Sequence, residues 1–169
     1  LALYTSCVPE LGIGSRDYAQ VQTWQSAVSG GMNCFTSLRG DINDVQQISG
    51  YLSFSSKCLS RQHGELCELL EQTFSDVRFD EAQRMAEIVD QIAARKIASI
   101  TGQGHVLAMS LACSGMSPLA KAGFESSGLA GIKRLRLLQE RHAQQEARHT
   151  LLEDFRGIHD LVTLSYRQL

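Results

Sequence analysis

No run of 18 apolar residues occurs in this chain of 169 residues, and its start shows no charged segment leading into a short apolar one. Neither a membrane-spanning helix nor a self-contained secretory signal is expected. A starting methionine is also missing, so the sequence reads as a piece of a longer chain. Positive charge is not in excess: 16 Lys and Arg stand against 18 Asp and Glu, a net charge of −2. With no basic stripe interleaved with aromatics, nucleic acid is not an expected partner. The five cysteines, Cys7, Cys34, Cys58, Cys67 and Cys113, are odd in number and form no CxxC pair. They are expected to be reduced, buried packing residues. That fits a cytoplasmic location, or the mitochondrial matrix or another organelle if the source is eukaryotic. Internal repeats and low-complexity tracts are absent.

What remains is ordinary for a globular protein: 43% apolar and 20% charged residues. At this length a chain buries roughly 70% of its unfolded surface, enough for a real core. Residues 1–11 form an apolar helix with Pro9 near its end, stopped by Gly12 and Gly14. Asp17 is the N-cap of a second helix, on which Tyr18, Val21, Trp24 and Val28 recur at helical spacing until Gly30 and Gly31. Trp24, the single tryptophan, is expected in the core. Residues 32–39 and 51–59 read as strands, and Gly50 marks the start of the second. In that second strand Leu52, Phe54, Ser56 and Cys58 alternate with outward Tyr51, Ser53, Ser55 and Lys57.

The remainder reads as helices. Ser60 caps one that buries Leu66, Leu69, Leu70, Phe74 and Val77. Asp80 opens another, with Met85, Ile88, Val89 and Ile92 as its apolar stripe, running to about Ile100 and stopping at Thr101-Gly102-Gln103-Gly104. Val106 to Cys113 is small and apolar. Ser117-Pro118 begins a helix with proline at its first position, and Gly128 breaks it. The next helix buries Ile132, Leu135 and Leu138, and a last one carries Leu151, Leu152, Phe155, Ile158 and Leu161. The expected fold class is α+β and helix-rich. Residues 1–101 form a truncated α+β domain holding only two strands, and residues 102–169 its helical extension.

Candidate sites are few. His142, Glu146 and His149 share a helix face at ligand spacing, but ERHAQQEARH is so polar that a solvated, ion-paired face explains them better. Cys58, His63 and Cys67 give three candidate donors, where a structural zinc site uses four at tight paired spacing, and Cys58 belongs to a core-facing strand position. Gly102-Gln103-Gly104 precedes His105 at a helix start, yet GQG lacks the Lys-Ser/Thr of a phosphate loop and follows no strand. Neither a nucleophile elbow nor an activated cysteine stands out. From the residues alone, no catalytic, metal or cofactor site is assigned.

Four stretches together carry a resemblance: LYTSCVPELGIGSRDY, SAVSGGMNCFTSLRG, GYLSFSSKCLSRQHGELCELLEQTFSDVRFD and TGQGHVLAMSLACSGMSPLAKAGFESSGLAGIKRL. In order and spacing they resemble the C-terminal half of pitrilysin/insulinase-type zinc metallopeptidases, in the presequence-protease-like subfamily. The resemblance implies four homologous α+β domains in two halves closing around a chamber that digests unstructured peptides. It implies that zinc sits in the first domain, on an inverted His-x-x-Glu-His motif with a downstream Glu, and that the third domain repeats the fold without the site. This chain resembles the third domain. In the active half a Gly-Ser-Arg-x-Tyr turn follows the zinc motif, and Gly14-Ser15-Arg16-Asp17-Tyr18 has that form. Counting back by the family's spacing puts the five motif positions on Thr5, Ser6, Cys7, Val8 and Pro9. Thr5 and Pro9 then replace the histidines and Val8 the catalytic Glu. The implied partners are peptide substrates in the parent's chamber and the other domains of the same chain. Exposed sheet edges would favour self-association of the isolated segment. A helical scaffold with no enzymatic parent is the competing reading.

Overall fold

The computed structural model describes residues 1–141 and 145–164. Its elements run α1 (Ala2–Cys7), a 3-10 turn (Val8–Glu10), α2 (Tyr18–Val28), β1 (Met32–Gly40), β2 (Ile48–Ser56), a 3-10 turn (Ser60–Gln62), α3 (His63–Ser75), α4 (Ala82–Ala98), α5 (Gly104–Cys113), α6 (Pro118–Ser126), α7 (Leu129–Arg141) and α8 (Gln145–Leu164). The two strands pair with each other, and the fold is α+β and helix-rich. Two compact units interleave along the chain. One contains Leu1–Thr36, Leu52–Ile88 and Gln145–Leu169, the other Ser37–Tyr51 and Val89–Gln144.

Local chemistry starts several helices as the sequence implied. Asp17 caps α2 reciprocally: its carboxylate accepts from the Gln20 backbone N–H at 2.8 Å while the Gln20 side chain accepts from the Asp17 N–H at 3.1 Å. Ser117 caps α6 and Pro118 occupies the first turn, where its missing N–H costs nothing. Pro9 sits in the 3-10 turn that ends the first helical segment. In the first unit Ile13, Val21, Val28, Leu66 and Leu69 form a core cluster, with Trp24, Cys58 and Leu70 packed against it. Arg16 lies over the Trp24 ring at 4.5 Å, covering the side of the indole left half-buried. A second group is aromatic. Tyr4, Phe79, Phe155 and His159 meet with ring centroids 5.3–6.5 Å apart, and Phe74 bridges from His159 to Phe54 of β2.

In the second unit Val89, Ala93, Leu107 and Ile132 are buried. The hairpin between the strands is tied by Asp41, whose carboxylate accepts from the Asn43 and Asp44 N–H groups at 2.7 and 3.1 Å.

Several expectations fail for definable reasons. Ser60 caps nothing with its side chain; it opens a 3-10 turn, and α3 starts at His63. Gly50 lies inside β2, opposite Leu38, where a Cβ would come within 3.3 Å of Leu38 Cδ2. Cys67 and Cys113 are exposed and Cys34 and Cys58 half-buried, so only Cys7 is the fully buried thiol expected of all five. Cys67 points off the outer face of α3, and Cys113 ends a helix that exposes most of its length. Leu161 is 70% exposed because it lies about 120° round the helix from Phe155. The buried stripe of α8 is Leu151, Leu152, Phe155 and His159.

Candidate functional site

The five positions singled out by spacing occupy α1 and the 3-10 turn after it. Thr5 is buried and its hydroxyl donates to the Ala2 carbonyl at 2.9 Å. Ser6 does the same at 3.1 Å, one turn back. Both hydroxyls are thus spent inside their own helix. Cys7 is fully buried, and burial together with nearby Glu10 pushes its thiol up to about 12, against the opposing pull of Arg84. Val8 is fully buried, and Pro9 offers no side-chain donor or acceptor. A zinc site needs imidazole, thiolate or carboxylate. Here the one thiol stays protonated at neutral pH, and the other four side chains hold no free donor atom of those kinds. The residues present do not fit a zinc ion.

A guanidinium stands beside this turn. Arg84 of α4 pairs with Glu10 at 2.7 Å, reaches Glu87 at 3.7 Å and stacks on the Tyr18 ring at 4.8 Å. Glu10 also accepts from the Gln22 side chain at 2.9 Å. Arg84 thus sets a fixed cation beside the turn. Next to it Glu81 grips the following turn from both ends. Its two carboxylate oxygens accept from the Gly12 N–H at 2.7 Å and the Tyr18 N–H at 3.0 Å. Between them residues 12–16 run beside residues 76–78: Gly14 N–H donates to the Asp76 carbonyl and Arg78 N–H to the Gly12 carbonyl, each at 2.9 Å. Gly12 admits no side chain, since a Cβ would stand 2.6 Å from the Arg16 carbonyl oxygen, and Gly14 has φ +56°.

On the other side of α1, the fully buried Tyr4 hydroxyl lies 2.8 Å from His159 Nδ1. Burial lowers the His159 pKa, while Asp160 and a hydrogen bond to the Ser75 backbone oppose that shift. Tyr4 itself is driven upward by burial and by Cys34. The consistent arrangement is a neutral imidazole that donates to the Ser75 backbone and accepts from Tyr4 at Nδ1.

The other candidates do not assemble. Cys58 packs on the Ile13 cluster, while His63 and Cys67 are exposed on α3. The Cys67 sulfur is 3.9 Å from both ring nitrogens of His63. His149 turns towards Glu153 at 3.7 Å, and His142 lies outside the described residues. Gly102 to Gly104 form the turn into α5; the Gln103 N–H donates to the Ser99 and Ile100 carbonyls and His105 is exposed. An open depression of about 310 Å³ at the base of the hairpin is lined by Gly30, Gly31, Asn33, Ser55, Ser56 and Lys57. Its glycine N–H groups are already used, Gly30 on the Lys57 carbonyl and Gly31 on Ser29 Oγ. Among the described residues no three His, Cys, Asp or Glu side chains gather closely enough to hold a metal, and no helix is long and apolar enough to cross a membrane.

Residues 1–138, from α1 into α7, match the family described as peptidase M-16C associated. The chain belongs to that peptidase-associated family. It is similar to mitochondrial presequence protease of Danio rerio, 26% identical over 138 residues that make up 82% of this chain and 14% of that protein. The Xenopus laevis and Mus musculus presequence proteases, both mitochondrial, are 25% and 23% identical over the same share of this chain and 13% of their own length. The chain therefore spans about a seventh of the curated relatives it matches. Within this peptidase-associated segment, local spacing found Asp17 and the Gly14 turn. It missed Glu81, Arg84 and His159, which act on α1 and the turn after it from 69 or more positions away. Only His159 had a sequence signal: it stands four residues after Phe155 and seven after Leu152, in the stripe position given to Leu161.

Proposed function

We propose that the chain is the non-catalytic third domain of a zinc metalloendopeptidase that degrades unstructured peptides. It forms wall and domain packing for the chamber in which another part of the same polypeptide cuts. The observation that carries this reading is the content of the five motif positions. Thr5, Val8 and Pro9 offer neither ligand nor base, and Arg84 brings a guanidinium next to them. Membership of a peptidase-associated family supports the enzymatic parent, and the relatives' names support a mitochondrial setting over the cytoplasm. Zinc belongs to the parent's active half, outside these residues.

The test is metal content and peptide hydrolysis of the purified chain. The expected result is substoichiometric zinc and no cleavage that a chelator abolishes. One tightly held zinc per chain, with chelator-sensitive cleavage of an unstructured peptide, would overturn the proposal.

A further inference from the structure

Residues 97–120 contain no Asp, Glu, Lys or Arg. They include α5, of which Leu107 alone is buried. Val106 is 50% exposed and Met109 65%, at i and i+3; exposed Cys113 follows at i+7, and Met116, just past the helix, is 73% exposed. Val106, Met109 and Cys113 share one stripe of the helix, and exposed Met116 follows in the turn beyond its end. A helix this uniformly apolar belongs in an interior, and ten residues of it are not stable in water without packing.

The possible covers differ in what they require. A membrane span needs about 30 Å, and α5 is about 15 Å long at 1.5 Å per residue. Lying on a lipid surface needs a basic polar face, and this helix has no Lys or Arg. A transient protein partner is met by a polar, charged rim, which 24 consecutive uncharged residues do not provide. Charge depletion of this extent suits a permanent interface. A second copy could supply one. However, the matching segment is 13–14% of the relatives' length, so most of such a polypeptide lies elsewhere and is tethered at an effective concentration on the order of millimolar.

We infer that the stripe Val106, Met109 and Cys113, with Met116 beyond its end, is the surface by which this segment docks permanently on an uncharged, apolar face elsewhere in the same longer polypeptide. This rests on the reading of the chain as one domain of a larger peptidase.

Cys113 makes the stripe its own probe. Alkylation of Cys113 by a neutral maleimide, followed by mass spectrometry, should be at least about tenfold slower in the full-length polypeptide than in the isolated chain. Met109→Lys with Met116→Lys should restore labelling and speed proteolysis of the full-length protein, while leaving the midpoint of the isolated chain unchanged. Equal Cys113 labelling in both forms would overturn the inference. So would concentration-dependent protection in the isolated chain with a dimer in sedimentation that the double variant dissolves; the occupant would then be a second copy. Zinc content and peptide cleavage by the same full-length preparation are read separately. An active zinc enzyme with unprotected Cys113 therefore defeats the docking surface alone. A full-length protein without either activity defeats the peptidase reading.

Discussion

The segment around α1 and the segment around α5 look alike in the sequence. Each is a short apolar helix next to closely spaced glycines, with little or no charge. In the first, Tyr4, Cys7, Val8, Leu11 and Ile13 are all at most 1% exposed. In the second, Val106, Met109, Leu111 and Met116 are each at least half exposed. The difference lies in what distant chain brings to each. His159, Glu81 and Arg84 reach the first segment with hydrogen bonds and an ion pair, so its polar atoms are satisfied as its side chains are covered. Nothing comparable is placed on the outer stripe of α5 among the described residues. Apolar composition sets how much surface must be covered, while the placement of long-range polar anchors decides which segment is covered within this chain.

Substitutions in the two segments can break that contrast. Leu11→Ala should cost about 3 kcal/mol in chemical denaturation, because a fully buried leucine leaves a cavity. A loss below about 1 kcal/mol would mean that the turn after α1 is not packed as described. Glu81→Ala removes the acceptor of two short backbone bonds and should cost about 2 kcal/mol. Hydrogen exchange at Gly12 and Tyr18 should rise with it; unchanged exchange would separate the clamp from the turn's order.

Tyr4→Phe should cost about 1 kcal/mol, leaving His159 Nδ1 without a donor. The same pair sets an acid limit. The His159 pKa is lower folded than its ordinary 6.5, so the unfolded chain takes up the proton first. Stability should be complete above about 6.5 and fall as pH drops towards the folded value, and His159→Gln should flatten that slope. Asp80, held below its usual range mainly by its hydrogen bond to Arg78, adds loss only at pH under 3.8. The smallest effect belongs to α5: Met109→Ser in the isolated chain should stay within about 0.5 kcal/mol. A larger loss would mean that Met109 is packed within this chain.

Legibility in the sequence followed range of interaction. Asp17 with Gln20, Ser117 with Pro118, the stripe of α4 and the alternation of β2 act within a few residues, and each was readable from spacing. The contents of the motif positions were readable by resemblance, since Gly14 to Tyr18 fixed the count. The anchors of α1 were not, because no local pattern connects Glu81 to Gly12 or His159 to Tyr4. A histidine among Leu152, Phe155 and Ile158 looks like an interruption until its partner is known. The exposure of Cys113 was hidden for the opposite reason. Its apolar neighbours implied burial, but the cover they call for is not supplied by the described residues.

The bond between Tyr4 and His159 spans 155 positions. On the ribosome, at 5–20 residues per second, roughly 8–30 s separate the appearance of its two ends. Throughout that interval α1 has lost neither its apolar surface nor its unpaired hydroxyl to the aromatic group of α8. The earliest part of the segment thus waits for one of the latest to complete its packing, and for those seconds its apolar face is open to a holding chaperone.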